Sequence, residues 1–169
     1  RQDFADFIAA NYAGWLRGPR GERPPLSVDI VPEFVEPVLR QHGRALLVVV
    51  DCLRMDQWEA IRPLISTRFD IETSYYFSIV PTATPFARNA IFSGLLPRDL
   101  AARHPAWCRE QDETSLNAHE AELLQEQLEG RHGRSVPVHY EKVFTAADGE
   151  GLLTRRDVAF AQAFSAPPL

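Results

Sequence analysis

A chain of 169 residues with 45% apolar side chains has room for one domain with a real core, and that composition excludes wholesale disorder. A formal charge of −5 argues against duplex nucleic acid as a partner, which favours a basic face, but leaves open a small anionic substrate held by metal ions. No run approaches the ~18 apolar residues of a membrane-spanning helix and no signal peptide is evident, so no membrane association and a cytoplasmic location are expected.

Phe4, Phe7, Ile8, Trp15 and Leu16 recur at helical spacing and predict an amphipathic first helix. Gly18-Pro19-Arg20-Gly21 and Pro24-Pro25 break it. A second helix is expected after Ser27 as its N-cap, with Val31, Phe34, Val35, Val38 and Leu39 as its stripe. Pro37 should kink that helix and Gly43 should end it. Residues 45–50 are continuously apolar and end in Asp51, the pattern of a strand covered on both faces. Residues 55–65 read as a helix with Trp58, Ile61, Leu64 and Ile65 facing inward. Residues 75–80 read as a second strand, and residues 84–92 as a short helix after a Pro81-Thr82-Ala83 turn. This alternation points to an α/β fold.

Beyond Pro97 the pattern weakens. A helical turn is expected at 99–103 and a helix at 116–128, with Leu123, Leu124 and Leu128 apolar. The stretch 110–129 is acidic and reads as a solvated helix face with its approach loop. A loop is expected at 130–133, a strand within 136–144, a break at Gly149-Glu150-Gly151 and a frayed end at 166–169.

Chemistry has two candidate locations. Ligands of α/β sheets bind outside the carboxyl ends of the strands, so Asp51 is placed to act as a metal ligand or nucleophile. It is equally placed to cap the following helix or to be a solvated strand end. Thr84 follows the second strand and opens a helix, where backbone N–H groups and the helix dipole favour negative charge. Its hydroxyl needs a base or a metal to become a nucleophile; the alternative is a plain N-cap. Arg88, four residues on, falls on the same helix face and could clamp phosphoryl oxygens. Asn89 could donate a further hydrogen bond; the alternative is a surface arginine and a polar helix residue. Of the two cysteines, Cys52 reads as a small core residue, and no CxxC pair suggests a zinc finger. The five histidines show no ligand spacing.

Taken in order, VVVDCLRMDQW and YYFSIVPTATPFARNAIFSGLLPRDL resemble the PglZ domain. They are most similar to the effector domain of PorX-type response regulators, which carry D-x-L-R-x-D-Q-W and P-T-x-T-x-x-A-R-N-A-x-F-x-G-L at these places. The likeness is strong over residues 44–99. It implies a partial alkaline-phosphatase-like α/β/α sandwich over residues 44–169, preceded by a helical linker over residues 1–43. It implies a phosphoesterase or phosphodiesterase acting on a small, including nucleotide-derived, phosphoester. Thr84 would be the nucleophile and a metal ligand, Asp51 a metal ligand, and Arg88 and Asn89 substrate-binding. The site would hold two zinc ions, and a receiver domain would accompany it in a two-component protein.

After about Leu153 no apolar strand ends in Asp and no Asp-His pair occurs, so the chain is expected to be a piece of a longer protein that supplies the remaining ligands. The competing expectation is a PglZ-fold signalling or binding module without catalysis.

Overall fold

The computed structural model describes residues 1–108 and 117–154. They fall into two compact units, one spanning Arg1–Ala118 and the other beginning at His119. The expected features at 110–116 and 166–169 lie outside the described residues. No helix among the described residues is long and apolar enough to cross a membrane.

In the first unit, helix α1 (Gln2–Arg17) ends where the N–H of Gly18 returns to the Gly14 carbonyl at 2.8 Å. Its apolar stripe is only partly used. Trp15 packs on Phe77 with ring centroids 4.7 Å apart and meets Phe7 at 5.7 Å, while Phe4 and Phe7 stay exposed.

The following loop is organised by one carboxylate. Asp29 is only 3% exposed. Arg23 forks onto both of its oxygens, Arg20 Nε lies 3.4 Å from Oδ1, and the Leu26 N–H donates to Oδ2 at 2.8 Å. Asp29 is the third residue of a 3-10 turn, Ser27–Asp29, so this last bond is one half of a capping box. Ser27 opens the turn rather than capping a long helix, and its Oγ accepts the Ile79 N–H at 3.1 Å.

The chain then passes through a widened π turn, Val31–Val35, into helix α2 (Glu36–His42). The Glu36 N–H donates to the Val31 carbonyl, five residues back. Pro37 comes next, with no N–H to give and a ring that crowds the carbonyl four residues earlier. The kink expected at Pro37 is therefore expressed as a π widening just before it. Gly43 ends α2 at φ 72°, a left-handed cap suited to glycine.

The two expected strands do not form among the described residues. Only an isolated parallel bridge pairs Leu26 with Phe77. Over residues 46–50, Leu46, Val48 and Val50 are exposed and Leu47 and Val49 half-buried, the alternation of a pleated chain covered on one face. A strand also needs a neighbour's N–H and C=O groups, and the described residues give this run none. Helix α3 (Met55–Ile65) shares the consequence and buries no residue. Trp58 and Ile65 are half-buried, but Ile61 and Leu64, expected inward, are exposed because no sheet among the described residues lies beneath them. Its start is secured by the Arg54 N–H, which donates to Gln57 Oε1 at 3.0 Å, with Arg54 also paired to Asp56.

Helix α4 (Thr84–Ser93) follows the cis Val80–Pro81 peptide and ends at Gly94, φ 66°. Helix α5 is Pro97–Arg103. Leu26, Val31, Ile79, Ala90, Phe92 and Leu100 are all buried and make the core of this unit.

In the second unit, helix α6 (Glu120–His132) runs through Gly130, where a loop was expected, and stops at Gly133, φ 64°. A lone helical glycine costs only about 1 kcal/mol, and the stop signal is the left-handed glycine three residues later. Glu120 is fully buried and takes the Tyr140 hydroxyl, with Lys142 Nζ at 3.5 Å. No strand forms over 136–144. Helix α7 (Ala146–Thr154) contains Gly149 and Gly151, which were expected to break the chain. A reciprocal cap overrides them. The Phe144 and Thr145 N–H groups donate to Asp148 Oδ2 at 3.0 and 2.8 Å, and the Asp148 N–H donates to Thr145 Oγ1 at 3.2 Å.

Replacing Asp29 by Ala leaves the part-buried Arg23 with only the Gly18 and Pro24 carbonyls and should lower stability by about 2 kcal/mol, read from urea unfolding. The bonds from the Thr145 N–H, the Thr145 hydroxyl and the Phe144 N–H hold the Asp148 carboxyl below its usual 3.8. A depressed carboxylate stabilises the fold above its unfolded pKa and loses that contribution as pH falls through its folded pKa. Amide chemical shifts of residues 146–148 should therefore stay helical down to about pH 4 and lose helicity only below it, and Asp148→Ala should abolish that acid transition.

Candidate functional site

The site is built on the first turns of α4. Ala83 is the N-cap, with φ −62° and ψ 142°, and Thr84 is the first helical residue. The N-cap position thus belongs to a residue with no side-chain acceptor, and the Thr84 hydroxyl does not serve as that cap. The N–H groups expected to favour an anion here are depleted. Pro85 has none, and the Phe86 N–H is bonded to the Ala83 carbonyl at 3.0 Å. Positive charge at this end of α4 therefore falls chiefly to Arg88.

Arg88 lies one turn after Thr84 on the same face. Its Nη1 is 3.7 Å from Asp51 Oδ2, with the side chains 23% and 43% exposed respectively. That separation is longer than a hydrogen bond, so this contact is Coulombic, and at such exposure it contributes at most about 1 kcal/mol. An incoming phosphoryl oxygen can displace so weak a contact. Next to Asp51, Cys52 has φ 55°. A non-glycine residue in the left-handed region marks a locally constrained turn. Cys52 is also exposed, not the core residue expected, because the run before it is itself uncovered.

Asn89 is placed differently. One residue beyond Arg88 the helix has turned by about 100°, and Asn89 is buried. Its Oδ1 accepts from Asn117 Nδ2 at 3.2 Å, and its carbonyl accepts from Ser93 Oγ at 2.6 Å. The structure thus brings Asp51 to Arg88, one helical turn after Thr84, and buries Asn89.

A cleft of about 200 Å3 on the flank of α4 was not anticipated. Pro85, Phe86, Asn89, Leu100, Trp107 and Cys108 line much of it. Trp107 stacks on His104 with centroids 4.0 Å apart. Partial burial pushes the Cys108 thiol up from its ordinary value.

Zinc is the implied metal. A structural or catalytic zinc takes three or four protein ligands. Among the described residues no group of three His, Cys, Asp or Glu side chains could hold a metal ion. Asp51 and Thr84 do not by themselves fit a two-zinc centre.

The family model of the BREX system PglZ alkaline phosphatase-like domain matches residues 30–161. The chain belongs to the PglZ family. The matched span contains Asp51, Thr84, Arg88 and Asn89, so the likeness first carried by residues 51–58 and 81–95 extends over most of the chain. No curated protein matches it. Helix α1 of this PglZ domain lies ahead of the matched span.

With Cys52 replaced by Ser, Cys108 is the sole thiol, and its alkylation rate should rise through a pH midpoint above the ordinary 9.0. Peptide mass spectrometry across pH checks this.

Proposed function

We propose that this PglZ domain supplies the nucleophile and phosphoryl-binding side of a phosphoester or phosphodiester hydrolase. The observation that carries the reading is the first turn of α4: Thr84 at its start, Arg88 one turn on, and Asp51 beside Arg88 at 3.7 Å. A planar guanidinium takes two phosphoryl oxygens at once and orients the phosphorus towards a hydroxyl on the same face. Thr84 Oγ would attack in line, forming a threonine–phosphorus ester as the bond to the leaving oxygen breaks. Water would then cleave that ester and restore the hydroxyl.

The finer parts of the reading go together. An α/β/α sandwich is supported by the family and by the alternating exposure of residues 46–50. A zinc pair, with Asp51 among its ligands, would draw its other ligands from outside the described residues. A place in a two-component response regulator, behind a receiver domain, rests on the likeness of residues 51–58 and 81–95 alone. The substrate would be a small, including nucleotide-derived, phosphoester.

A second reading is a PglZ-fold module that binds a phosphorylated ligand without turning it over. The lack of a three-ligand group among the described residues favours it.

Hydrolysis of a chromogenic phosphodiester by the full-length protein with added zinc separates the two. On the first reading, Thr84→Ala lowers turnover on the order of 10³-fold or more with an unchanged circular dichroism spectrum, and Asp51→Ala also lowers the zinc content. Zinc-dependent turnover that survives Thr84→Ala would remove Thr84 from the chemistry. Phosphate binding without any turnover would favour the binding module.

A further inference from the structure

The segment just before Thr84 is held in an unusual way. In a sheet, its N–H groups would go to the carbonyls of a neighbouring strand. Here the Phe77 N–H donates to the Pro25 carbonyl at 2.8 Å, the Ile79 N–H to Ser27 Oγ at 3.1 Å and the Val80 N–H to the Tyr12 hydroxyl at 2.6 Å. Two of these three acceptors are side-chain hydroxyls from the first 27 residues of the chain. The loop that presents Pro25 and Ser27 is itself fixed by Asp29 between Arg20 and Arg23. Trp15, three residues after Tyr12, packs on Phe77 from the same helix.

The Tyr12 bond shows what the arrangement does. Ile79 is buried, so an acceptor for its N–H is obligatory on folding grounds. Val80 is 56% exposed, and water could satisfy its N–H without help. A tyrosine hydroxyl there adds little to stability but fixes where residue 80 lies. Only Pro81, Thr82 and Ala83 separate that point from Thr84.

We propose that Tyr12 and Ser27 are positioning residues for Thr84, setting the start of α4 through the 77–80 segment. This rests on Thr84 being the nucleophile. An α1 residue, outside the span matched by the PglZ family, thereby becomes part of the machinery that aims the hydroxyl. Misplacement of a reacting atom by about 1 Å costs up to 10²-fold in rate with binding largely intact.

Tyr12→Phe keeps the ring and removes only the acceptor. It should lower kcat about 10-fold with KM essentially unchanged, leave Tm unchanged, and speed amide hydrogen exchange at Val80 and at Phe86 and Ala87, whose N–H groups both go to the Ala83 carbonyl. Ser27→Ala should have the same kinetic effect together with a lower Tm, because the Ile79 N–H is buried. Exchange that accelerates at Val80 but not at Phe86 and Ala87 overturns the proposal whatever the activity. If Thr84→Ala abolishes turnover while Tyr12→Phe retains the wild-type kcat, positioning alone fails. If Thr84→Ala retains turnover in the full-length protein, or that protein shows none, the nucleophile reading falls and takes the positioning role with it.

Discussion

The first unit depends on a buried carboxylate. Asp29 has almost no contact with water, yet it accepts from Arg23 and the Leu26 N–H and forms an ion pair with Arg20. Burying a charge is tolerable only when paired and hydrogen-bonded, and these three partners meet that condition. Their combined geometry leaves residues 23–29 one shape. That shape puts the Pro25 carbonyl and the Ser27 hydroxyl where residues 77–79 can reach them. It also sets Leu26 and Val31 into the core with Ile79 and the inner side of α4.

Helix α4 shows how a short helix divides its work. Residues 84 and 88 share one face by the four-residue repeat, and the Arg88 side meets a carboxylate. Pro85 and residues 89–93 are buried, and there Asn89 is tied to Asn117 and Ser93 bonds back to the turn before it. The consecutive Arg-Asn pair therefore splits between a half-buried guanidinium that meets Asp51 and a buried amide. A polar buried residue of this kind positions its neighbour by making the helix orientation definite.

What could be read from the sequence follows from how local each feature is. Helices α1 and α3 were evident from spacing and α4 from the turn before it, only a helical turn was expected within α5, and Gly43 was evident as a helix stop. Gly130, Gly149 and Gly151 misled, since a glycine breaks a helix only where the backbone must turn left-handed, and the Thr145–Asp148 cap had gone unread. The strands failed for a different reason. An apolar β-branched run reports a preference, but a strand exists only when another segment supplies its hydrogen bonds. The Asp51–Arg88 approach joins two motifs that the sequence showed separately. The bonds from Tyr12 and Ser27 to residues more than fifty positions away had no local signal at all. The site was thus half visible: its residue types could be seen in the sequence, but the scaffold that holds Thr84 in place could not.

The uncovered run at 46–50 has a consequence for behaviour in solution. Six consecutive apolar residues, 45–50, without proline or charge and with Val48 66% exposed, make a segment able to stack on copies of itself. Arg44 stands one residue ahead of this run's Ala45 start and Asp51 closes it, so charges of opposite sign bracket the tract. Such flanking charges oppose edge-to-edge growth, because every added chain must bring like charges into register with those already there. Asp51 thereby guards colloidal stability as well as facing Arg88, two duties of one carboxylate that neutralising it would end together.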